Sequence, residues 1–283
     1  MNLLSRTWGS SLGKKFVMAL TGVALFLFVV GHLAGNLQIF GAPDQINGYA
    51  HFLKSTPELL WGARLGLLAC VALHIAAAVT LTVENRAARP EGYAGSTAYG
   101  STRGSRTMIL SGSVILAFIL YHLAHFTALL PGINGVGDFS KLTVLRHGER
   151  VADVYGMIVL SFQVWWVVLF YLVAQGLLFM HLGHGLAAMF QSLGLRDHVW
   201  APRIAQFAKV ASIAIFVGYA SIPVSIYLRM VGAGYATSVR NQLAHRPPGL
   251  EAPAAPATGS ATPTPAATPQ LAVRPVAAGK EIQ

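Results

Sequence analysis

Acidic residues are almost missing from this chain: Asp and Glu together number 10 among 283 residues, and none falls inside its long apolar runs. A path of carboxylates through those runs, of the sort that moves protons or divalent metals, is therefore lacking. Cysteine occurs once, as Cys70 within an apolar run. That excludes an internal disulfide, an iron–sulfur cluster held by this chain's own cysteines and a CxxCH attachment site. No glycine-rich dinucleotide fingerprint and no P-loop occur, so chemistry on a nucleotide or flavin would belong to another subunit. The formal net charge of +10 is spread over loop arginines and lysines. Without a basic helix carrying interleaved aromatics, nucleic acid is not an expected partner.

What is present is apolar length. The chain is 54% hydrophobic and only 11% charged, with a mean hydropathy of +0.56. Five runs, roughly 16–40, 61–83, 108–130, 156–190 and 205–230, reach the about 20 residues that a membrane-crossing helix needs. The fourth exceeds one span and is expected to tilt or to project beyond the lipid. The first is too long for a cleaved signal peptide and continues through His32, Gly35 and Asn36 without a small-residue cleavage site. The expected fold is all-α, an integral membrane bundle of five transmembrane helices over residues 1–246. From Pro247 to Gln283 a Pro/Ala/Thr-rich tail cannot build a core and is expected to be disordered.

Each of the first four runs carries histidine at membrane depth: His32, His74, His122 (with His125) and His181 (with His184). The fifth has none. An imidazole is costly in hydrocarbon and is kept there when something binds or uses it. Four helices with inward histidines are what two bis-histidine haems need, and without CxxCH the haems would be b-type.

Positive residues near span ends favour the cytoplasm. Arg6, Lys14 and Lys15 precede the first run, Arg86, Arg89, Arg103 and Arg106 follow the second, and Arg196, Arg203 and Lys209 follow the fourth. The opposite loops hold Lys54, and Lys141, Arg146 and Arg150 balanced by Asp138, Glu149 and Asp153. This bias puts the N-terminus inside and the C-terminus outside, against Arg229, Arg240 and Arg246 near the end of the fifth run.

That topology sets the histidines at two depths. At about 1.5 Å per residue, His32 lies roughly 25 Å beyond Lys15 and His122 roughly 24 Å beyond Arg106, whereas His74 and His181 lie about 15 Å from Glu84 and Gln191 at the inner ends. Two ligands of one haem must share a depth, so His32 pairs with His122 (outer) and His74 with His181 (inner). Depth alone does not separate His122 from His125, or His181 from His184, which differ by about one turn.

Gly22, Gly31 and Gly35 crowd the first run. Small residues admit a flat macrocycle, and equally admit a packed helix. Asn36, Gln38, Tyr121, Gln163, Tyr171 and Gln175 are further polar groups in or near the spans. Arg64, near the outer end of the second run, reads as a partner for haem propionates or as a snorkelling cation. Trp61, Trp165 and Trp166 fit an interfacial belt. The outer loop GAPDQINGYAHFLKSTPELLW is more structured than a linker, with Asp44 and Ser55 as expected helix caps. It offers His51 and Glu58 as proton acceptors for quinol oxidation at the membrane edge. Surface exposure for His51 and helix-start electrostatics for Glu58 are the plainer readings.

Several segments together resemble a known family: GHLAGNLQIF, YAHFLKSTPELLW, LHIAAA, YHLAHFT and HLGHGLAAMFQSLGL. They are similar to the cytochrome b subunit of succinate dehydrogenase/fumarate reductase, of the single-polypeptide, five-helix, two-haem type (the b558 family), over roughly residues 10–235. The resemblance implies axial haem ligands at His32, His74, His122 and His181, with His184 not a ligand. It also implies a covalent-FAD flavoprotein and an iron–sulfur subunit as cytoplasmic partners, a quinone substrate (menaquinone in many two-haem members) and a bacterial cytoplasmic membrane. By that likeness the chain is an electron-transfer subunit with no complete reaction of its own.

Other readings remain: the di-haem anchor of a hydrogenase or formate dehydrogenase, a histidine-lined divalent-metal transporter, and a scaffold that has lost haem. The transporter wants carboxylates beside its histidines, which the spans lack.

Overall fold

The computed structural model describes residues 7–88 and 103–244. The tail from 247 to 283, and Arg6, Arg89 and Arg246, lie outside the described residues. The described residues up to Gln242 form one unit, an all-α membrane bundle. Its helices are α1 (Ser11–Asn36), α2 (Pro43–Ser55), α3 (Pro57–Ala87), α4 (Arg103–Phe126), α5 (Val154–Ser161), α6 (Trp165–Ser192), α7 (Ala201–Tyr227) and α8 (Ala233–Ala244).

Among the described residues, α1, α3, α4, α6 and α7 are long and apolar enough to cross a membrane. A helix satisfies its backbone hydrogen bonds internally, which is what lets such segments lie in hydrocarbon. Their outward faces are bare: Leu12, Leu27, Leu65, Leu68 and Val217 are each more than half exposed. A continuous apolar girdle of this kind needs lipid to cover it.

Helix α1 packs on α3, α4 on α6, and α1 on α6, while α3 only grazes α4. These four helices form a ring whose diagonals are α1–α4 and α3–α6. Helix α7 lies outside the ring, mainly against α6. Pro223 inside α7 cannot donate to the Tyr219 carbonyl. Gln175 Nε2 on α6 approaches that freed carbonyl at 3.5 Å.

The fourth apolar run is not one long tilted helix. It splits into α5 and α6, with Phe162–Val164 turning between them and Val164 in extended conformation. Residues Tyr155 to Ser161 are all buried, and Tyr155 and Met157 to Leu160 cluster with Ile39, Ile46, Phe139, Leu142 and Ile226. Their apolarity serves a protein core at the loop-rich end of the bundle rather than lipid, and hydropathy alone does not tell the two apart.

The caps also differ from expectation. Helix α2 starts at Pro43, a residue suited to a first turn because its missing N–H needs no partner there. Asp44 lies within that turn, bound to Arg146 at 2.8 Å. Ser55 is the last residue of α2 and its hydroxyl turns back to the Phe52 carbonyl, while Thr56 and Pro57 open α3.

An antiparallel hairpin, β1 (Thr143–Arg146) and β2 (Glu149–Ala152), completes the loop-rich end. His147 and Gly148 both have positive φ, 48° and 85°, as a two-residue hairpin turn of matching twist requires. Asp153 caps α5 through Gly156 N–H and accepts from Asn47 Nδ2, while Asn47 Oδ1 accepts from Tyr155 N–H. This buried knot ties α2 to α5. At this end Lys141 pairs with Asp138, and His51 Nε2 lies 3.8 Å from a Glu149 carboxylate oxygen.

Candidate functional site

The two ring diagonals bring the histidines together. His32 of α1 and His122 of α4 have ring centroids 5.8 Å apart with planes at 85°. His74 of α3 and His181 of α6 have centroids 6.5 Å apart with planes at 57°. The first pair lies toward the loop-rich end, the second toward the opposite end. All four rings are half-buried.

Three of the four are held by one nitrogen. His74 Nδ1 is 3.1 Å from the Met18 carbonyl and 3.2 Å from Thr21 Oγ1. A carbonyl only accepts, so His74 carries its proton on Nδ1 and its lone pair on Nε2. His181 Nδ1 is 3.2 Å from Ser111 Oγ, which itself donates to the Met108 carbonyl. His122 Nδ1 is 3.3 Å from the Tyr171 hydroxyl. Among the described residues, Nε2 of these three makes no hydrogen bond, nor does either nitrogen of His32, whose ring stacks on Phe28.

Two glycines give the second pair its room. A Cβ at Gly22 would sit 3.6 Å from His74 Cε1, and one at Gly112 would sit 3.6 Å from His181 Cε1. Of the three glycines singled out in the first run, only Gly22 faces a histidine. Gly35 lies against Tyr49, and a Cβ at Gly31 would meet open space.

His125 differs from its neighbour three residues away. It is fully buried and both nitrogens are engaged, Nδ1 with the Tyr171 hydroxyl at 3.1 Å and Nε2 with Ser161 Oγ at 2.9 Å. It therefore has no free lone pair to offer a metal. His184, also on α6, is half-buried.

The chain matches no family model, no curated protein and no solved structure.

The three quinone candidates are not joined. His51 faces Glu149 at 3.8 Å and lines a shallow pocket with Lys54, Arg150 and Val151. Glu58 is exposed in the first turn of α3. Arg64 is exposed with its guanidinium 5.1 Å above Trp61, as a snorkelling cation would be. No hydrogen bond or ion pair links these three among the described residues. Trp61 and Trp165 are largely exposed, as a belt at the membrane edge requires.

Thr21, Ser111 and Ser161 were not foreseen as site residues. A signal for the first two exists. MALTG (18–22) and MILSG (108–112) repeat the same pattern, and each is followed at the same spacing by His-Leu-Ala, at His32 and His122. Helices α1 and α4 thus each supply one ligand candidate and, a few turns earlier, the hydroxyl and glycine that flank the histidine of α3 or α6.

Proposed function

We propose that this chain is the di-haem cytochrome b membrane anchor of a succinate:quinone oxidoreductase, serving electron transfer between an iron–sulfur subunit and membrane quinone. The observation that carries the reading is the two diagonal histidine pairs, three of whose rings are oriented through Nδ1 and, among the described residues, leave Nε2 without a partner.

The donor set fits b-type haem. A metal–imidazole bond of about 2 Å on each side of one ion puts two ring centroids about 6 Å apart, and both pairs stand near that separation. Partners on Nδ1 fix the tautomer and the ring orientation that a metal-binding imidazole needs. Gly22 and Gly112 keep side chains away from the second pair. His32 and His122 would hold one haem, and His74 and His181 the other. When bound, haem supplies a one-electron iron couple.

The chain's own residues then orient, insulate and anchor. The apolar walls of α1, α3, α4 and α6 exclude water from the pairs. Carboxylates occur in the spans only near their ends, as Glu58 and Glu84 of α3 do, which leaves no continuous carboxylate route for protons beside the pairs. His51 and Glu58 at the loop-rich end are the groups proposed to accept quinol protons, with Arg64 at the same edge. The charge bias in the loops supports a cytoplasmic N-terminus; in this reading the membrane is a bacterial cytoplasmic one, the flavoprotein and iron–sulfur partners would sit on the N-terminal side, and the loop-rich end would face outside.

The test is the reductant. In membranes holding the assembled complex, succinate should reduce this chain's haem and raise its α-band absorbance, and fumarate should reoxidise the haem and lower that absorbance where the quinone is menaquinone. Reduction by hydrogen or formate but not by succinate would assign the anchor to another respiratory enzyme. Absence of any haem band would reject the reading.

A further inference from the structure

Tyr171 is buried on α6 between two histidines of α4, and its single hydroxyl meets both, at 3.3 Å from His122 Nδ1 and 3.1 Å from His125 Nδ1. A phenol has one proton to give. It can donate to one imidazole nitrogen only, and the other must donate to it. A hydroxyl in this position differs from the Met18 carbonyl that holds His74, because the carbonyl can only accept. On its own, Tyr171 would leave the tautomer of His122 undetermined.

The remainder of the chain removes that freedom. Ser161 Oγ is 2.7 Å from the Met157 carbonyl, which can only accept, so the serine proton points there. The serine oxygen then accepts from His125 Nε2 at 2.9 Å. A neutral imidazole has one N–H, so His125 Nδ1 is an acceptor and takes the Tyr171 proton. The tyrosine oxygen is left to accept from His122 Nδ1–H. Each proton is used once, from His122 through Tyr171, His125 and Ser161 to a backbone carbonyl, and the lone pair of His122 falls on Nε2. The reverse direction would put a proton on His122 Nε2 and give up the serine–carbonyl bond.

We propose that Tyr171 is the positioning residue of the His32/His122 pair, and that His125 and Ser161 set the direction of its hydrogen bonds so that His122 presents Nε2 as a ligand. The inference rests on the haem reading above. It also assigns a role to the second histidine of the YHLAHF segment, which aims the tyrosine proton and does not bind iron.

The experiment uses the full-length protein purified with its haem. Tyr171→Phe keeps the ring that packs edge-on against Phe118 and Phe162 and removes only the hydroxyl. An imidazole whose N–H has lost its acceptor is a weaker ligand. In a potentiometric titration read by optical and low-spin ferric EPR signals, the variant should raise the potential of one haem component and leave the other in place. Loss of that one haem to an excess of a haem-scavenging apoprotein should quicken by about 10–100-fold. Ser161→Ala should move the same component in the same direction by less, and carries the test if Tyr171→Phe does not accumulate. Ser111→Ala should move the other component. Two unmoved components, or two moved equally, in a Tyr171→Phe protein that holds both haems would overturn the tyrosine's role and leave the haem reading standing. A parent protein without haem would overturn both.

Discussion

Thr21 Oγ1 lies 3.2 Å from His74 Nδ1, and that nitrogen is also 3.1 Å from the Met18 carbonyl. The imidazole belongs to α3 but is oriented entirely by α1. Among the described residues, its counterpart His181 has only the Ser111 hydroxyl, from α4, on its Nδ1. The two rings of one pair are therefore secured unequally. Ser111→Ala should weaken haem retention at this pair by about 10–100-fold, and Thr21→Val by much less, because the Met18 carbonyl remains. Haem transfer to an excess of scavenging apoprotein measures both.

Gly22 and Gly112 make a sharper steric prediction. A lone Cβ at either would reach ordinary contact with its histidine, at 3.6 Å. Alanine should be accepted with both haems retained. Leucine, whose branches extend from that Cβ into the imidazole's space, should remove the His74/His181 haem and spare the other. Reduced-minus-oxidised spectra of the purified variants distinguish the two outcomes.

At the end opposite the loops, Lys14 is buried and donates to Glu84 Oε1 at 2.6 Å and to the Trp8 carbonyl at 3.0 Å. The pair joins α1 to α3. Lys14→Met should destabilise the bundle by about 1–3 kcal/mol, between the values for exposed and fully buried pairs, since Glu84 is partly exposed. Adding Glu84→Gln should recover part of the loss. Thermal unfolding in detergent, followed by circular dichroism, measures it.

Asp153 is the corresponding joint at the loop-rich end. Asp153→Ala removes the α5 cap and the acceptor of Asn47, at a cost of about 2 kcal/mol. The unfolding midpoint should fall while the haem content stays unchanged, because neither histidine pair touches this knot.

Much of the bundle was legible in the sequence, because a span announces itself by the length of its apolar run. The adjacency of His32 to His122 and of His74 to His181 was legible too, because helical rise converts residue counts into depth. The break at Phe162–Val164 was not, since an apolar segment buried by protein reads like one buried by lipid. Nor was the hairpin: four-residue strands about His147–Gly148 carry little periodic signal. The hydroxyls of Thr21 and Ser111 were hidden for another reason. Hydroxyls within helices commonly bond to the carbonyl one turn back, as Thr82 and Ser113 do, and nothing local marks the ones that also face a histidine from a neighbouring helix.

The measurement that bears most directly on the central claim is the haem-to-protein ratio by pyridine haemochrome, for the parent chain and for His74→Ala and His122→Ala. The account predicts two haems per chain in the parent, one in each single variant with different α-band components missing, and none in the double variant. A parent chain without haem, or variants that keep both, would contradict it.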